Sequence, residues 1–182
     1  TGMHVAKSCL VFARTGGAPG EARGITCFIV PTHAEGVKVE EFLWTFNMPS
    51  DHARVSLTDV RVPDSAIFGG EGRGLAVIQH FFNENRIRQA ASSLGAAQYC
   101  VDEAVRHAGE RKPFGKPLAA MQNTQFKMAE LRAELDIAQC FVDQAALAFN
   151  AGTLSAEDAA AAKLKTSELQ QRVADEGLQL HG

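Results

Sequence analysis

The sequence predicts an α+β protein, a partial antiparallel β domain followed by an up-down helical bundle. Two observations carry this. Over residues 1–70 short β-branched and aromatic runs alternate apolar with polar positions, the period of half-buried strands. Beyond residue 70 apolar side chains recur every three or four residues, the period of helices that bury one face. We therefore expect a partial β domain at 1–70 and a helical bundle at 71–182, incomplete by one helix.

The β domain reads as four strands. His4 to Thr15 (HVAKSCLVFART) and Gly24 to Thr32 (GITCFIVPT) flank the turn cluster GGAPGEARG. GVKVEEFLW and HARVSLTDVRVP follow, and Val62-Pro63-Asp64 stops the pattern. Four strands make a thin sheet that needs a further packing surface. Between the last two lies WTFNMPSDH, Trp44 to His52, a polar and turn-rich strand connection in which Ser50 or Asp51 caps a turn.

The first helix is expected from about Gly74 to Gly109, with Leu94, Ala97, Val101, Ala104 and Ala108 along one seam. Met128, Leu131, Leu135, Ala138, Val142, Ala145 and Phe149 form the seam of the second, stopped at Gly152. Ser155 with Asp158 three residues on opens the third. Its buried face is Ala162, Thr166, Leu169, Val173, Gly177 and Leu180.

Composition narrows function. A net charge of −3 and a pI near 6.1 give no basic field for nucleic acid or anionic lipid. No apolar run is long enough to span a bilayer, and TGMHVAKSCL lacks the layout of a signal peptide. Cys9, Cys27, Cys100 and Cys140 show no C-x-x-C pairing and read as reduced, small apolar residues. His4, His33, His80, His107 and His181 form no spaced pair that would hold a metal, and His80 reads as a core or interface residue.

Two stretches depart from plain structure. The seam of the first helix is interrupted by NENRIRQ, Asn83 to Gln89. That cluster is either an exposed turn of helix or a polar lining, with Asn83, Asn85 and Arg86 facing a ligand. The other is ERKPFGKPLAAMQ, Glu110 to Gln122, between the first two helices. A turn needs a glycine or a proline; this one adds a cation and an aromatic ring. Arg111 has two readings, a helix C-terminal cation facing the dipole or a planar fork for phosphate oxygens.

ERKPFGKPLAAMQ resembles the R-x-x-F-G-x-x-L…Q segment of the acyl-CoA dehydrogenase family. ITCFIVPTHAEGV is similar to that family's middle-domain strand and turn, and SLTDVRVPDSAIFGGEGRGL to its link into the first bundle helix. GLQLHG resembles the start of its Q-x-x-G-G-x-G-Y segment. The resemblance covers essentially the whole chain, with its pieces in order.

The resemblance implies FAD as cofactor, α,β-dehydrogenation of an acyl-CoA thioester in fatty acid metabolism, and a homodimer or homotetramer. It implies that Arg111, Phe114 and Gln122 reach the FAD of a neighbouring subunit, and that Gln179 and Gly182 contact its adenosine side. It places Asn83 near the pantetheine of the substrate, Arg86 near the active site, and 44–52 beside the thioester arm. A cytoplasmic or mitochondrial-matrix location and an electron-transferring flavoprotein as partner follow from it too. The family's N-terminal helical domain and flavin-ring strand have no counterpart in these residues.

No catalytic base is assigned. Most members of the family place that glutamate at a position equivalent to one beyond Gly182. A minority place it immediately before the arginine matching Arg86, and here that residue is Asn85, an amide that cannot act as a base. Glu84 is adjacent, but one residue turns about 100° around a helix. The isolated chain is therefore expected to be inactive. Related flavoenzymes on the same fold (acyl-CoA oxidases, nitroalkane oxidases, flavin monooxygenases) are the alternative, and a non-catalytic helical interaction module is another.

Overall fold

The computed structural model describes residues 1–182. The chain divides into two compact units, Thr1–Gln79 and His80–Gly182.

In the first unit, β1 (Ser8–Arg14) pairs antiparallel with β2 (Ile25–Pro31), and a short β5 (Ile67–Phe68) adds to the other edge of β2. Cys9, Val11 and Ala13 are the better covered face of β1, and Thr26, Cys27 and Val30 of β2 are fully buried. Burial pushes the Cys27 thiol up, away from the reactive thiolate. Thr26 is a buried polar group with its bonds made. Its hydroxyl lies 2.7 Å from that of Thr15 and accepts the Gly72 N–H at 2.8 Å. The loop leading into the first helix is thereby tied to the middle strand of the sheet.

β3 (Val37–Thr45) and β4 (Met48–Leu57) form a separate two-stranded ribbon. This corrects the expectation of one four-stranded sheet. The strand connection expected over 44–52 is also shorter, because Phe46 and Asn47 make a two-residue turn. Both have positive φ, 49° and 58°, as the primed hairpin turns require. Pairing then resumes at once, with Thr45 opposite Met48 and Trp44 opposite Pro49. Pro49 is tolerated because each strand of a ribbon has an unpaired edge. Ser50 donates to the Leu43 carbonyl at 2.6 Å across the ribbon.

Three helices follow: α1 (Gly74–Glu110), α2 (Gln122–Asn150) and α3 (Ala156–His181). The second unit has one core, drawn from all three helices. Ala90, Leu94, Ala97 and Val101 come from α1, Leu131, Leu135 and Val142 from α2, and Ala162, Leu169 and Val173 from α3. Every predicted seam position of α1 is buried, and on α2 and α3 only Met128, Ala138, Phe149 and Leu180 stop at half-buried. Cross-helix pairs set the directions. Lys127 meets Glu176 and Glu134 meets Arg172, so α2 and α3 run antiparallel.

The helix ends follow their sequence signals. The Ser155 hydroxyl accepts the Asp158 N–H at 2.9 Å, capping α3. Gly152, at φ 71°, turns the chain out of α2. All four cysteines are free; Cys140 stands on the exposed side of α2, outside the apolar seam. No helix is long and apolar enough to cross a membrane.

Candidate functional site

The segment between α1 and α2 is built from two short 3-10 turns, Pro113–Gly115 and Leu118–Ala120. Pro113 and Pro117 fix φ at their starts, and the Leu118 N–H returns to the Arg111 carbonyl at 2.8 Å. The loop is thus closed on itself. Phe114 is held at φ 56°, ψ 29°, a left-handed conformation uncommon for a bulky side chain, and is fully exposed. A strained backbone that displays an aromatic ring to solvent is a feature of a contact surface.

Arg111 is fixed by α3. Its Nη1 donates to the His181 carbonyl. Gly182 lies against the guanidinium, where a Cβ would meet Arg111 Nη1 at 3.0 Å, and its φ of 111° favours glycine. Beneath the pair, the rings of His107 and His181 stack at 4.0 Å, and His181 Nδ1 lies 2.8 Å from the Gly177 carbonyl. One turn earlier Arg106 bridges Glu103 and Glu110 at 2.8 Å each. The Arg106 guanidinium holds the Glu103 carboxyl below the usual range.

A cleft of 380 Å³ lies between the helix-joining loop, the start of α2 and the end of α3. Arg111, Phe114, Lys127, Glu176 and Gln179 line it. The structure therefore brings together Arg111, Phe114 and Gln179, with Gly182 against the guanidinium. Gln122 is not in the lining; it is exposed at the first position of α2. Lys127, Glu176 and the histidine stack were missed by sequence reasoning, because no local spacing links α2 or α1 to the end of α3. The chemistry available is anion recognition: Nη2 and Nε of Arg111 stay free beside an exposed ring and an amide. A planar fork beside an aromatic face is a donor set suited to an anion that carries an apolar part.

On α1, Arg86 Nη1 donates to Asn83 Oδ1 at 3.2 Å, and its guanidinium lies 5.7 Å from the Phe82 ring centroid. Both residues are half-buried. Asn85 belongs elsewhere, because its Oδ1 accepts from Arg88 at 2.7 Å, and Glu84 is exposed. Of the three residues Asn83, Asn85 and Arg86, the structure joins Asn83 to Arg86 and sets Asn85 against Arg88. His80 is exposed, with its ring 6.2 Å from that of Phe149. No group of three or more His, Cys, Asp or Glu side chains is arranged to hold a metal.

Fold and cleft define an α+β protein that presents an arginine, an aromatic ring and an amide at the ends of its helices. Residues 72–182 match the family model described as acyl-CoA dehydrogenase, C-terminal domain. The chain belongs to the acyl-CoA dehydrogenase family. It is 35% identical over 185 residues to a 3-(aryl)acrylate reductase of Clostridium sporogenes, covering 100% of this chain and 48% of that protein. Butyryl-CoA dehydrogenase from Megasphaera elsdenii matches with a TM-score of 0.89 and 30% identity, over 98% of this chain and 47% of that one. A chain in the structure described as the electron transferring flavoprotein of Acidaminococcus fermentans matches with a TM-score of 0.87 and 29% identity, over 98% and 47%. The chain spans about half the length of the curated relatives it matches.

Proposed function

We propose that this chain is part of an FAD-dependent acyl-CoA dehydrogenase, which removes hydrogen from the Cα–Cβ bond of an acyl-CoA thioester. The observation that carries the reading is the fixed Arg111 beside the fully exposed Phe114 in one cleft. FAD, when bound, supplies the two-electron acceptor. Arg111 holds its pyrophosphate, Phe114 covers an apolar part, and Gln179 and Gly182 line the adenosine side. Gln122, at the mouth of the loop, completes the contact set.

Phe114 has no packing partner within its own chain, which supports a cofactor shared between copies in a homodimer or homotetramer. Asn83 and Arg86 face the acyl-CoA, with the Asn83 carbonyl and the Phe82 ring holding Arg86 in place. An electron-transferring flavoprotein is the proposed redox partner, in keeping with the Acidaminococcus match. The functional division falls at 70/71, ahead of α1. A homodimer that retains flavin absorbance after gel filtration is the expected result for the full-length protein. A full-length protein that stays colourless after incubation with FAD would overturn the reading.

The 182-residue chain alone is expected to turn over no acyl-CoA. The position before Arg86 carries Asn85, engaged with Arg88, and Glu84 points to solvent. Neither can take an α-proton beside Arg86. The check is an assay of the isolated chain with FAD, an acyl-CoA series and an artificial electron acceptor; turnover with any of them refutes the assignment.

A further inference from the structure

The cleft carries a charge arrangement that anion binding alone does not require. Lys127 of α2 and Glu176 of α3 face each other across it, Nζ to Oε2 at 2.5 Å. Their side chains are 41% and 28% exposed, so both reach the solvent-filled space that a ligand would enter. Arg111 is the third charged group of the lining. Two cations and one carboxylate leave the cleft with a net charge of +1. A carboxylate in a cleft that takes a pyrophosphate opposes the ligand.

We propose that Lys127 and Glu176 set the affinity of the cleft for its nucleotide, Glu176 lowering it and Lys127 raising it. The inference rests on the reading that Arg111 binds the pyrophosphate of FAD. Glu176 occupies one of the three N–H donors of Lys127, a residue of the cleft lining, and leaves two without that partner. The pair thus keeps a second cation in place while cancelling its charge in the absence of ligand. A purely structural strut is a poor account of it. A second bridge between α2 and α3, Glu134 to Arg172, already joins the helices outside the lining. Partly exposed ion pairs of this kind add little to stability.

The test is a charge ladder in the full-length apoprotein, read as FAD affinity by flavin fluorescence at low and at moderate salt. Glu176→Gln raises the cleft charge and is expected to tighten FAD binding about fivefold, with a steeper salt dependence. Lys127→Met lowers the charge and is expected to weaken binding about fivefold. The double variant, again at a net charge of +1, is expected to bind within about twofold of the parent. Weakened binding in all three variants would mean a strut and would overturn the proposal. So would unchanged affinity in Glu176→Gln. Arg111→Ala in the same series separates the two levels of inference. If it loses FAD while Glu176→Gln changes nothing, the cleft reading stands and the charge-setting role falls. If Arg111→Ala binds FAD like the parent, both fall. Circular dichroism of each variant checks that the helices remain, and a Glu176→Gln protein that loses them while Lys127→Met does not would also count against the proposal.

Discussion

Replacing Arg111 by alanine in the full-length protein is expected to lower FAD affinity about 10- to 100-fold while the helices stay folded. The magnitude follows from losing hydrogen bonds between a guanidinium and an anion, about 1.5–3 kcal/mol. The asymmetry follows from where Arg111 sits. It is exposed, outside the bundle core, and its tie to the chain is the His181 carbonyl. His181 is exposed, so water can replace that donor and little folding energy is lost. Arg111→Lys is nearly as damaging for binding, because a point charge cannot hold the His181 carbonyl and an anion in one planar fork. Fluorescence titration of the apoprotein beside a thermal melt checks both halves. Unchanged FAD affinity with a lowered melting point would make Arg111 a structural cation at the helix end.

The second large effect lies in the bundle. Leu135→Ala is expected to cost about 2–5 kcal/mol. Leu135 is 3% exposed, at the centre of the shared core. Leu135 shares that core with Ala90, Ala97 and Ala162, whose methyl groups are too small to fill the space it leaves. The cavity therefore persists, and the melting point of the helical unit falls by about 10–20 °C. Leu147→Ala on the same helix, 60% exposed, shifts it by no more than about 0.5 kcal/mol worth of stability. Urea unfolding followed at the helical band distinguishes them. Equal effects of the two substitutions would mean that the seam of α2 is misplaced.

The bundle was legible because one periodicity served every level. The spacing that makes a helix amphipathic also selects Leu131, Leu135 and Val142 as core, and they are buried. The β unit was legible by strand but not by sheet. Alternation marks Val37–Thr45 as extended, yet says nothing about its partner, and the turn at Phe46 and Asn47 chose a local one. Pro49 and the polar run after it concealed that turn. Of the cleft, the part within one loop was readable: Arg111 and Phe114 stand three residues apart. Lys127 and Glu176 are 49 residues apart and meet only because α2 and α3 are antiparallel. The histidine stack was hidden for the same reason, since it joins the last turns of two helices that are not consecutive in the chain.

Thr26 has a consequence for how the first unit opens. Its hydroxyl is fully buried and accepts the N–H of Gly72, a turn residue two positions before α1. Freeing that amide exposes a buried hydroxyl, and with it the pairing of Thr15 and Thr26. Hydrogen exchange at Gly72 is therefore governed by opening of the sheet, not by fraying of the loop that contains it. The amides of Gly69 and Gly70 are expected to exchange fast and that of Gly72 slowly, which an amide exchange measurement checks. That step within three residues marks the point where the loop's motion is handed to the sheet.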